Sequence, residues 1–111
     1  MEKDYKAYIH HVLDAITSIE KYTQGMSFEE FEKDEKTRDA VIRNFEVIGE
    51  ASSKLPKEFK ERYRDVPWKS IIGLRNVLIH DYLGVDIFAV WGNLKRDLPT
   101  LKGQMESILK D

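Results

Sequence analysis

Apolar residues recur at helical spacing along nearly the whole chain. Tyr5, Ile9, Val12, Ile16, Ile19 and Thr23 fall on one stripe, and Gly25 predicts the end of that first helix. Ser27 is placed to cap a short turn through Phe31. A second long helix carries Val41, Phe45, Ile48, Ser52 and Leu55 on one side and stops at Pro56. Lys57 to Tyr63 predicts one or two further turns. Asp65-Val66-Pro67-Trp68 reads as a helix start, with Asp65 near the cap and Pro67 in the first turn. The third main helix then runs from about Trp68 to Tyr82, with Gly84 as its stop. Asp86 caps a fourth helix carrying Ile87, Val90, Trp91, Leu94 and Leu98. Pro99 falls inside that pattern and predicts a kink or a new helix start, before the pattern continues to about Leu109. No strand pattern competes. The elements predict an all-α, antiparallel four- to five-helix up-and-down bundle, in one domain over residues 1–111.

Composition narrows the class. Apolar residues make up 41% of the chain and charged residues 34%, a balance that argues against disorder. No apolar run approaches the roughly 20 residues of a membrane span. Met1-Glu2-Lys3-Asp4 leads into no secretory apolar stretch. Cysteine is absent, which excludes disulfides, thiolate zinc sites and a cysteine nucleophile, and fits a reducing compartment. A cytoplasmic location is therefore expected, with no membrane partner. His10 and Asp14 stand four apart, but two ligands without a third make a poor metal site. Neither a metal nor a cofactor is expected.

The net charge of −2 is unevenly spread. Ser27 to Glu50 holds eight acids against four bases, and Ala51 to His80 holds seven bases against three acids. The second stretch could attract a phosphate backbone locally. A solvated mixed-charge surface would have the same composition.

The third helix is where the pattern becomes specific. With Arg75 at zero on a helical wheel, Trp68, Ile71, Ile72, Leu78, Ile79 and Tyr82 lie within roughly 60° of it. A guanidinium in the middle of an apolar face needs a partner. Either it pairs inside the bundle, with Glu46 or Glu50, or that face opens onto a cleft. Gly73, Asn76 and His80 form a second stripe, roughly 100–160° away. Gly73 weakens a helix, so its expected use is the close approach of another backbone. Arg75 and His80 are about 140° apart on an ideal helix. They meet at one phosphate only if the helix frays, if a cleft wraps around it, or if a two-fold dimer presents each motif twice.

Arg75, four residues, His80, one residue and Tyr82 resemble the Arg-x4-His-x-Tyr form of HEPN domains, as in HepT-like ribonuclease toxins. The segments VIRNFEVIGEASSKLP, VPWKSIIGLRNVLIHDYLGVD and VWGNLKRDLPTL are similar to that family in order and spacing, over about residues 5–109. The resemblance implies a helical bundle that forms a homodimer. It also implies a small MntA-like nucleotidyltransferase as antitoxin partner and metal-independent cleavage of RNA. Arg75 and His80 of both subunits would then line a cleft. Tyr82 would accept AMP from the partner.

Elementary chemistry is compatible with those roles. An imidazole can exchange a proton with the 2′-OH or the leaving 5′-oxygen near neutral pH. A fixed guanidinium stabilises charge developing on the phosphate. Asn76, one turn before His80, could orient its ring or donate to a phosphate. The alternative is a bundle that cleaves nothing and binds a nucleotidyltransferase through the same residues. A purely structural dimerising bundle leaves the arginine without a use.

Overall fold

The computed structural model describes residues 5–111, apart from the side chain of Tyr82. The described residues are helical almost throughout and contain no strand. Four long segments dominate: α1 (Lys6–Thr23), α3 (Glu35–Ser53), α5 (Trp68–His80), and a final rod made of α6 (Ile87–Gly92) and α7 (Leu98–Lys110). Two short helices, α2 (Phe28–Lys33) and α4 (Lys57–Arg62), fill the connections on either side of α3.

Local chemistry sets most of these boundaries. Gly25 takes φ 75°, the left-handed turn that ends α1 and that a side chain would strain. Ser27 and Glu30 form a reciprocal capping box at the start of α2. The Asp34 carboxylate accepts the Thr37 backbone N–H at 3.0 Å and begins α3. Asp86 caps α6 as expected, accepting from the backbone of Phe88 and Ala89.

Two boundaries differ from expectation. Asp65 caps nothing; α5 starts after Pro67 with no side-chain cap, and the Asp65 carbonyl accepts from Gln104 instead. The third helix ends at His80 rather than Tyr82, and a 3-10 turn over Tyr82–Gly84 follows. At Gly84 a Cβ would stand 2.7 Å from the Asp81 carboxylate, so the turn folds back tightly on its own start. Pro99 is accommodated by a π turn over Asn93–Asp97, in which Leu98 donates to the Asn93 carbonyl. Widening the helix there relieves the clash of the proline ring with the preceding turn.

The core lies where α1, α3 and α7 meet. Ile9, Val12, Ile16 and Ile19 of α1 face Val41, Phe45 and Ile48 of α3, with Leu98, Leu101, Met105 and Ile108 of α7 closing the far side. Burial of each such side chain contributes roughly 1.5–3 kcal/mol. The stripe hydroxyls of Thr23 and Ser52 are buried but satisfied, each donating to the carbonyl four residues back at 2.8 Å. α1 and α7 run antiparallel: Glu20 meets Lys102 at 2.9 Å, while Lys6 reaches the carbonyl of Asp111.

α5 is seated differently. It packs along α3, and only Trp68 and Leu78 are fully buried from it. Between α5 and the last rod runs a groove of about 760 Å³, with Phe45, Ile48, Ile71, Leu74, Leu98 and Leu101 among its lining. No helix among the described residues is long and apolar enough to cross a membrane.

Candidate active site

The site residues lie on the second half of α5 and on the α3 turn beneath it. Arg75 points at α3. Its Nη2 donates to Glu50 Oε2, and its Nη1 donates to Asn76 Oδ1 at 2.9 Å. Glu46, the other acid within reach by sequence, faces Arg43 instead, at 3.5 Å. The Arg75 side chain is 26% exposed and that of Glu50 49%, so the pair lies at the edge of the helix–helix seam. The hydrogen bond from Arg75, and then its positive charge, hold the Glu50 carboxyl below its ordinary value. Lys54, one turn on, approaches the other carboxylate oxygen at 3.7 Å. Arg75 Nε is buried without a hydrogen-bond partner among the described residues.

A glycine makes this approach possible. A Cβ on Gly49 would stand 2.2 Å from Arg75 Cβ and 3.3 Å from the Ile71 carbonyl. Within this chain the close approach at a glycine occurs at Gly49. Around Gly73 a Cβ would meet nothing within 4 Å; it borders the open groove. Gly49 carries the same signal in the sequence, a glycine inside a long helix that weakens it by up to about 1 kcal/mol. Which of two such glycines touches a neighbouring helix is decided by tertiary contact.

The structure brings Arg75, Asn76 and Glu50 together and leaves His80 apart. His80 is the last residue of α5 and is exposed. It follows Arg75 by about 7.5 Å of helix rise and a rotation of about 140°. Asn76 is exposed and engaged with Arg75 rather than with the imidazole. Ile79, placed on the apolar face by the wheel, is exposed, as is Val77. The buried side of α5 is therefore rotated toward Ile71, Arg75 and Leu78. Tyr82 opens the 3-10 turn after the helix; its side chain lies outside the described residues. Beside it Leu83 is 98% exposed.

The basic stretch is split by the fold. Phe59 of α4 packs against Trp68, the first residue of α5, with ring centroids 6.4 Å apart. α4 thus sits at the start of α5, about 18 Å of helix rise from His80. Lys57 pairs with Glu61 there. Of that stretch, Lys54 is the base beside the Arg75–Glu50 pair.

Comparison with known proteins gives a consistent assignment. Residues 12–108 match the family described as "Ribonuclease HepT-like". A protein of Thermococcus cleftensis named "Probable ribonuclease HepT" is 42% identical over 99% of this chain and 100% of its own length. A "Putative RNase" of Methanocaldococcus jannaschii is 41% identical over 99% of this chain and 95% of its own. Another of that name, from Caldanaerobacter subterraneus subsp. tengcongensis, is 40% identical over 97% of this chain and 96% of its own. No solved structure matches. With most of its length matched by the family and by full-length relatives, the chain belongs to the ribonuclease HepT-like family.

Proposed function

We propose that this chain is an endoribonuclease toxin that cleaves RNA as a homodimer, through Arg75 and His80 with Asn76 as a positioning group. The observation that carries the reading is the placement of Arg75. A guanidinium stands at the edge of a helix seam, held on two nitrogens, on the helix that also ends in an exposed imidazole. In one chain the two groups face different directions. A two-fold axis beside α5 would place Arg75 of one copy near His80 of the other. On the side of α5 between Arg75 and His80, the exposed Ile79 supplies apolar area for such an interface.

The chemistry follows from those groups. An imidazole takes the proton of the 2′-OH, whose oxygen attacks the adjacent phosphorus. The bond to the 5′-oxygen breaks, and that oxygen receives a proton from a second imidazole or from water. The products are a 2′,3′-cyclic phosphate and a 5′-hydroxyl. Arg75 stabilises the charge gathering on the phosphate oxygens. A cognate nucleotidyltransferase is the proposed antitoxin, placing AMP on Tyr82; the added charge and bulk would then exclude an RNA phosphate. The fully exposed Leu83 offers that partner an apolar handle at the same turn.

A second reading has an observation in its favour. Arg75 is already engaged by Glu50 and Asn76, and His80 lies on another face, as in a bundle that binds a nucleotidyltransferase and cleaves nothing. One assay separates the two. Unmodified protein is incubated with several RNAs in chelator, beside His80→Ala and Arg75→Ala. The nuclease reading expects cleavage with cyclic phosphate ends and a loss of about 10²–10⁴-fold in rate on removing His80. Equal cleavage by wild type and His80→Ala would place the activity elsewhere, and no cleavage by any of them would leave the binding module.

A further inference from the structure

We propose that Glu50 is a positioning residue for Arg75, fixing the guanidinium from α3 so that its remaining N–H groups are presented to a phosphate. The proposal rests on the ribonuclease reading and adds to it a residue from outside the α5 motif.

The contacts form one chain across two helices. Lys54 approaches Glu50, Glu50 accepts from Arg75 Nη2, and Arg75 Nη1 donates to Asn76. Each terminal nitrogen has two N–H groups, so each keeps one after these bonds. The carboxylate and the amide thus hold the plane of the fork without exhausting it. The root of the side chain is fixed as well, because Gly49 lets Arg75 Cβ settle directly on α3. A free arginine side chain loses most of its rotamer entropy when ordered. Here that loss is met in the resting protein, which is what a transition-state clamp requires.

A purely stabilising role is the competing account. A half-exposed ion pair contributes little to stability, and Glu50 is 49% exposed. The pair is thus weak as a brace and still specific as a guide: of the two acids one turn apart, only Glu50 meets Arg75.

The test uses full-length Glu50→Ala and Glu50→Gln, with Glu46→Ala as the control on the same helix. The expected result for Glu50→Ala is a fall in kcat of about 10- to 100-fold, the range of a misplaced catalytic group. KM should hold or fall, because a negative charge beside the phosphate is gone. Its melting temperature should stay within a few degrees of wild type. Glu50→Gln keeps an acceptor oxygen at the same reach and should recover most of the kcat. Glu46→Ala should match wild type. Nitrogen-15 spectra of the arginine side chains supply a second readout. Separate Arg75 Nη signals are expected in wild type and Glu50→Gln, and merged, rapidly rotating ones in Glu50→Ala. Unchanged kcat in Glu50→Ala, while Arg75→Ala is inactive, overturns the proposal and leaves the nuclease standing. Glu50→Gln as impaired as Glu50→Ala overturns it as well. If no variant and no wild type cleaves RNA, the nuclease reading falls. The nitrogen spectra then decide alone whether Glu50 holds Arg75; identical signals in wild type and Glu50→Ala overturn that too.

Discussion

A β-carbon on Gly49 would stand 2.2 Å from the Cβ of Arg75. No rotamer change relieves that overlap, since both atoms move only with their backbones. Gly49→Ala must push α5 off α3. The gain in helix propensity, about 1 kcal/mol, is smaller than the packing loss of about 1–3 kcal/mol or more. A net loss of stability is expected in urea unfolding, together with a loss of RNA cleavage larger than the unfolded fraction explains.

Gly73 is the contrasting case. A Cβ there meets nothing within 4 Å. In the isolated chain, Gly73→Ala should stabilise by about 0.5–1 kcal/mol. If the groove beside it receives a second copy, the added methyl should raise the dimer Kd about tenfold, equivalent to about 1.4 kcal/mol. Sedimentation across a dilution series reads this directly. Stabilisation with unchanged self-association would place the interface elsewhere.

Arg75→Lys separates charge from geometry. The pair with Glu50 is half-exposed, so stability should change little. A lysine ammonium cannot hold Glu50, Asn76 and a phosphate in one plane. Cleavage should fall about 10²–10³-fold, as on losing an oxyanion donor. Activity near wild type would show that a point charge suffices.

Acid sensitivity should arise partly at Asp34. Its carboxyl is held below the ordinary value by the hydrogen bond from the Thr37 backbone, then by the Thr37 hydroxyl. A carboxyl whose folded value is depressed adds stability above its unfolded value, near 4, and that stability is lost as pH falls through the folded value. Glu50 has the same sign, through Arg75. Asparagine caps a helix about as well as aspartate, so Asp34→Asn should leave neutral stability nearly intact and flatten its decline in acid. Urea titrations at a series of pH values check this; an unchanged acid slope would remove Asp34 as a contributor.

The sequence was legible where structure is local. The stripe from Ile9 to Thr23, the Asp86 cap and the stop at Gly25 all depend on residues a few positions apart, and all appear as read. Glu46 and Glu50 could not be told apart, because one turn of α3 separates them and the choice depends on how α5 lies across it. Gly49 and Gly73 were indistinguishable for the same reason. The Asp65 cap failed because Pro67 makes a tight three-residue turn into α5, with the Trp68 N–H satisfied by the Val66 carbonyl. The His80 stop was also hidden: Tyr82 continues the apolar wheel, but the Asp81–Gly84 turn closes first.

The seating of α5 along one flank bears on dose. A helix gripped by a single neighbour opens more readily than one enclosed on both sides, so its amides should exchange early with solvent. Under the dimer reading, the second flank is closed only by another copy of the chain. Ordering of the motif helix and pairing of subunits then become one event. Well below the Kd, cleaving capacity would rise with the square of the amount of protein made. Under the toxin reading, a cell could then carry a low basal level of such a chain without harm, and a modest burst of synthesis would cross into damage.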